Sequence, residues 1–177
     1  MKSIKFFMVA VLSVLCLTAS AQRSATNGTS KGYQGFIEGK LAFGGGDYSA
    51  AGVFTSHGYQ FNPYVFFGGG AGLMVGSSSA DGYVDRYIDD KVMVPIYANI
   101  KINILNKKIS PMIDGKLGYS ISDAKGLFFA TSVGCRIRLG NHAIIPSLGY
   151  KAQQLDVKYL DKTETYGFTT LGCTFEF

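Results

Sequence analysis

The 177-residue chain is short of the residues that reactive sites use. It has three cysteines and two histidines, and only 16% of its residues are charged. Two histidines with no cysteine cluster leave no zinc ligand set. His57 has Ser56 beside it, but neighbours on a strand point to opposite faces, so the pair makes no nucleophile and base. His142 is equally alone, and neither an enzyme nor a cofactor is expected. The net charge of +5 is too small to argue for nucleic acid. The glycine clusters Gly44-Gly45-Gly46 and Gly68-Gly69-Gly70 with Gly72 open no helix and precede no Lys-Ser/Thr, so the Walker pattern is missing. Glycines in strands mark bends and close packing instead. After the first twenty residues no long apolar run remains, which excludes spanning helices in the rest of the chain.

The first residues read as an export signal. Lys2 and Lys5 precede an uncharged apolar run over 6–17, and Ala19-Ser20-Ala21 supplies the small-x-small cleavage pattern. The run is short for a membrane anchor, which needs about 20 apolar residues. The expected organisation is a signal peptide at 1–21, a flexible polar lead at 22–31 and one domain at 32–177. Removing the signal takes two lysines from the net charge of +5 and also takes Cys16. Cys135 and Cys173 remain, although export would permit a disulfide.

From residue 33 onward, segments of about a dozen residues alternate apolar and polar, the strand period. The fourth segment is the sharpest. Val92, Val94, Ile96, Ala98, Ile100, Ile102 and Ile104 oppose Tyr97, Asn99, Lys101 and Asn103. The second, at 51–61, is the least regular. His57 falls on its apolar face with Val53, Thr55, Tyr59 and Phe61, so a bulge or a phase error is expected there. Eight segments follow this pattern. The predicted fold is all-β, an eight-stranded antiparallel up-and-down transmembrane β-barrel. About 12 residues of tilted strand rise roughly 30 Å, enough for an apolar band of about 25 Å. In this register Cys135 and Cys173 lie two strands apart, roughly 9–10 Å. A disulfide wants Cα atoms about 4.4–6.8 Å apart, so two free thiols are predicted.

The connections differ between the two ends. Those at 62–63, 105–108 and 140–141 are short. Those at 44–48, 77–90, 122–126 and 156–165 include two that are long and polar. Short turns on the periplasmic side and longer loops outside are what an outer-membrane barrel has. Aromatic residues gather at both ends, as interfacial girdles do. Tyr33, Tyr59, Phe61, Tyr64, Phe175 and Phe177 fall at the short-turn end, and Phe43, Tyr48, Tyr83, Tyr87, Phe128, Phe129 and Tyr166 at the other.

The last segment closes on Phe175 and Phe177 at alternating positions. It resembles the terminal signal by which outer-membrane barrels are recognised for insertion. With 58–64, 94–96, 110–114 and Gly118-Tyr119, it makes the chain similar to small porin-like or OmpA/OmpX-like outer-membrane barrels. That resemblance implies architecture, outer-membrane lipid and the barrel-assembly machinery as partners, and a monomer. It implies no activity.

Glu38, Lys40, Lys101, Asp114, Lys116, Arg136, Arg138, Lys151 and Glu176 all fall on the inward parity. The expected interior is filled by paired charges and water, since eight strands leave room for little more than side chains. The loop at 77–90 carries Asp81, Tyr83, Asp85, Arg86 and Tyr87, residue types suited to contacting an extracellular partner. The spacing of its acids does not match an EF-hand. A structural or surface-interaction role in the outer membrane is expected. Alternatives are a narrow porin-like channel for ions or small solutes, lined by the inward charges, and a soluble lipocalin-like carrier, for which the inward lysines and arginines are the wrong filling.

Overall fold

The computed structural model describes residues 31–44, 48–78, 92–122, 125–157 and 162–177, with the side chains of 48, 77–78, 155–157 and 162–164 left aside. The signal peptide, residues 22–30 of the lead, and the loop residues Asp81, Tyr83, Asp85, Arg86 and Tyr87 lie outside these ranges. Nine strand segments occur: β1 (Gly32–Phe43), β2 (Tyr48–Gln60), β3 (Val65–Ser78), β4 (Val92–Met93), β5 (Pro95–Asn103), β6 (Ile109–Ser120), β7 (Gly126–Leu139), β8 (His142–Val157) and β9 (Lys162–Glu176). They make eight staves, because β4 and β5 are one strand interrupted at Val94. The register against β3 continues across the gap, with Met74 opposite Met93 and Ala71 opposite Ile96. Pro95 has no N–H to give to the ladder, and the break falls there.

Each stave pairs antiparallel with the next, and β1 also pairs with β9, so the sheet closes on itself. Past the last ladder pair, Gly35 and Phe177 exchange both backbone hydrogen bonds, at 3.1 and 3.0 Å. Closure removes the exposed edges that an open sheet must protect.

Outside, the barrel is apolar. Val53, Phe67, Ile96, Ile113, Leu117, Val133, Leu148 and Leu171 are among many large apolar side chains left exposed. Inside lie Glu38, Lys101, Asp114, Lys116 and Lys151, each no more than 3% exposed. A soluble barrel has these faces reversed. An apolar coat of this extent belongs in hydrocarbon, and the chain is a transmembrane β-barrel. The lipocalin-like reading fails on this orientation.

Three expectations need correction. First, β2 carries no bulge. It pairs without interruption with β1 from Gln60 to Ser49 and with β3 from Gln60 to Tyr48. His57 stays in phase on the outer face because both its ring nitrogens have hydroxyl partners. Second, Phe128 and Tyr166 are not girdle residues. Phe128 is buried in the interior apolar cluster, and Tyr166 packs against that cluster. Third, the polar stretch 156–165 is mostly strand. Gln154 pairs with Thr165, Leu155 with Glu164, Asp156 with Thr163 and Val157 with Lys162. Beyond the apolar band, polar residues satisfy a two-stranded ladder as well as apolar ones do.

The two cysteines are free. Pro146 lies opposite Cys173 on β8, between β9 and the β7 strand that carries Cys135.

The glycines of β3 have a steric cause. A Cβ on Gly72 would come within 2.2 Å of the Phe54 ring, and one on Gly70 within 2.9 Å of the Tyr97 ring and 2.1 Å of the Thr55 carbonyl oxygen. Inward rings lie flat over these positions. Gly72→Val is expected to cost about 1–3 kcal/mol, as overpacking of a filled core does. A lower denaturant midpoint for the refolded barrel in detergent checks this.

Candidate functional site

The interior is stacked in layers, which β1 spells out in order from the short-turn end. Its inward residues are Gln34, Phe36, Glu38, Lys40 and Ala42. Gln34 belongs to a polar rim. Phe36 joins Phe66, Met112 and Ile145 in a small apolar layer, with the Phe36 and Phe66 rings edge-on at 4.9 Å. Glu38 and Lys40 belong to a charged layer. Ala42 opens a larger apolar layer containing Phe54, Met74, Met93, Tyr97, Phe128 and Phe168.

The charged layer is a single network. Lys101 lies 3.0 Å from Glu38 and 3.3 Å from Asp114. Lys40 lies 3.3 Å from Glu38 and 4.0 Å from Asp114. Lys116 lies 2.9 Å from Glu38 and also pairs with Asp114. Each of the three lysines thus touches both carboxylates. Asn99 donates to Asp114 at 2.5 Å and to the Gly115 carbonyl at 2.9 Å. Buried charges are tolerable when paired this fully. The ammonium groups also cap aromatic faces of both neighbouring layers. Lys101 sits 4.7 Å from the Phe36 ring centre, Lys40 5.8 Å from Phe54 and Lys116 5.7 Å from Tyr97. Such contacts gain strength where water is excluded.

Two further inward cations sit apart from this network. Arg136 grips Glu176 through two hydrogen bonds, its Nε 2.6 Å from one carboxylate oxygen and its Nη2 on the other, and Gln34 donates to the same carboxylate. Lys151 lies in the larger apolar layer, 3.2 and 3.5 Å from the sulfurs of Met74 and Met93 and 4.7 Å from the Phe168 ring centre.

Of the nine inward charges read from the sequence, eight are buried. Arg138 is the exception. It has the inward parity but sits at the short-turn rim, half-exposed, donating to the side chain of Asn106 at 3.3 Å. The strand ends there, so its side chain reaches the turn rather than the lumen. A further correction concerns the filling: rings and thioethers occupy the layers on either side of the charges, so the interior is not paired charge throughout. The inward glycines facing Phe54, Phe66 and Tyr97 were the available signal.

On the outer face near the short turns, Tyr33 Oη lies 2.5 Å from His57 Nδ1 and Thr55 Oγ1 lies 2.8 Å from His57 Nε2. Thr55 shares the face of His57, two residues away, as the adjacent Ser56 does not. Both ring nitrogens are thereby satisfied at the lipid boundary. Phe175 is exposed and stacks on His142 at 5.3 Å. The ring of Phe177 lies over Gly35, where a Cβ would come within 2.5 Å of it. Among the described residues no group of His, Cys, Asp or Glu is placed to hold a metal ion.

No family model matches the chain. No curated protein matches it either. Among solved structures, it resembles a barrel described as a de novo design of transmembrane β-barrels, at 10% identity and a TM-score of 0.44, over 81% of this chain and 95% of that one. It resembles the outer-membrane enzyme PagL at the same identity and TM-score, over 80% of this chain and 97% of that one. What this barrel does has to be read from its own residues.

Proposed function

We propose that the chain is an integral outer-membrane barrel, exported by its 1–21 signal, with a non-enzymatic structural or surface-interaction role: a sealed, rigid support for the connections at its long-loop end. The observation that carries this reading is the filling of the lumen. An apolar layer lies on each side of the charged network, and Phe36, Phe54, Phe66 and Phe128 are each no more than 2% exposed. A closely packed layer of buried rings is a barrier to ions, and eight strands leave little lumen beside the side chains. The non-enzymatic part is supported by His57, whose two ring partners are both hydroxyls, with no carboxylate among the described residues to orient it as a base.

The test is conductance. Purified barrel in a planar lipid bilayer is expected to give no steady current steps. Discrete steps with anion preference would sink this reading and favour the porin-like channel. Location is checked separately by gel mobility of the outer-membrane fraction, boiled against unboiled; a folded barrel shifts on heating.

A further inference from the structure

The acids of this chain are distributed unevenly between the two ends. Of twelve Asp and Glu residues, Glu38, Asp114 and Glu176 are inside the barrel. The other nine fall at 47, 81–90, 123 and 156–164, all in or beside connections at the long-loop end. The short turns at 61–64, 104–108 and 140–141 contain no acid. They contain Lys107 and Lys108, both exposed, and Arg138 stands beside them, its backbone N–H bonded to the Lys108 carbonyl at 2.8 Å. The nearest inward carboxylate at this end, Glu176, is already held by Arg136. Among the described residues none of Lys107, Lys108 and Arg138 has an acidic partner.

These three cations border the apolar coat. Ile104, Leu105, Ile109 and Leu139, each 41–58% exposed, adjoin them along the chain. A wall of aliphatic side chains topped by unopposed cations matches one kind of molecule, an amphiphile with hydrocarbon tails and an anionic head. We propose that the corner formed by Lys107, Lys108 and Arg138 holds the phosphate headgroup of an anionic phospholipid, its acyl chains lying on Ile104, Leu105, Ile109 and Leu139. Charge complementarity selects the head, because a zwitterionic lipid brings an ammonium group that three cations repel. Each cation at headgroup level favours an anionic lipid roughly fivefold, so three together give on the order of a hundredfold. The site would anchor the short-turn end in its leaflet and fix the depth of the barrel. It rests on the membrane location proposed above, which the heat-dependent gel shift reports independently.

The full barrel, folded in detergent, is titrated with phosphatidylglycerol or phosphatidylcholine, and retained lipid is counted by native mass spectrometry. Phosphatidylglycerol is expected to be retained in preference. The triple variant Lys107→Gln, Lys108→Gln and Arg138→Gln should lose that preference while keeping its gel shift. Lys125→Gln, an exposed cation at the other end, should keep both. Equal retention of the two lipids by the unmodified barrel, or an undiminished preference in the triple variant, overturns the proposal. So does an equal loss in Lys125→Gln, which would mean that net charge and not this corner decides. Displacement of the lipid by inorganic phosphate at millimolar concentration would assign the corner to a free ion and overturn it as well.

Discussion

Replacing Glu38 with leucine is expected to destabilise the folded barrel by about 3–5 kcal/mol, the usual consequence of breaking a buried ion network from one side. Glu38 is fully buried and pairs with Lys40, Lys101 and Lys116 at once. Without it the three ammonium groups share Asp114 alone, inside a wall of strands and between two apolar layers. The readout is the urea midpoint for unfolding from detergent, followed by the gel shift. Removing one lysine at the same time should repair much of the damage. Glu38→Leu with Lys116→Met restores the original excess of one positive charge, and the double variant is expected to lie well above the single one. A Glu38→Leu barrel within about 1 kcal/mol of the parent would mean that water or an ion reaches the layer, contrary to the packing described.

Phe54→Ala should be comparably severe, about 3–5 kcal/mol, as for other buried phenylalanines. The ring sits 6.3 Å from that of Phe128 and 6.2 Å from that of Tyr97, and the Lys40 ammonium lies over it at 5.8 Å. It also covers Gly72, where an added Cβ would meet the ring at 2.2 Å. The two positions are therefore coupled, and the coupling has a sign. Gly72→Val should be damaging in the parent but neutral or favourable beside Phe54→Ala, because the valine enters the space that the ring vacated. A double-mutant cycle on unfolding free energies measures this directly. Strict additivity would show that the ring and the glycine do not share that space.

The outer face of the barrel was legible in the sequence, and the reason is chemical. Lipid accepts only apolar surface, so positions such as Ile96, Ile100, Ile102 and Ile104 repeat without compromise. The inner face was legible only where it is charged or polar. Glu38, Lys101, Asp114 and Lys116 announce themselves by parity. Phe36, Phe54 and Phe66 share that parity but read as ordinary apolar residues, and Phe128 as a girdle ring, since a lumen tolerates either kind of filling. The glycines at 58, 68, 70 and 72 were the clue to those rings, because a strand keeps such gaps for rings lying across it. His57 looked like a phase error because its two hydroxyl partners include Tyr33 on another strand, and contact across strands is not visible in a local pattern. The long connection at 77–90 and its Asp81, Tyr83, Asp85, Arg86 and Tyr87 stay with the surface-interaction role proposed here.

The pairing of β8 with β9 bears on what a surface partner would meet. Among the described residues β8 has no ladder with β7 beyond the pair Phe128–Gln153, and β9 has none with β1 beyond Phe43–Thr169. The two strands still pair with each other as far as Val157 and Lys162. What emerges at the long-loop end is a two-stranded ladder standing on the barrel wall. A slack connection must give up about 1–2 kcal/mol of backbone entropy per residue when a partner orders it. Residues paired in this ladder gave up part of that entropy when the barrel folded, so contacts made along it lose less to ordering.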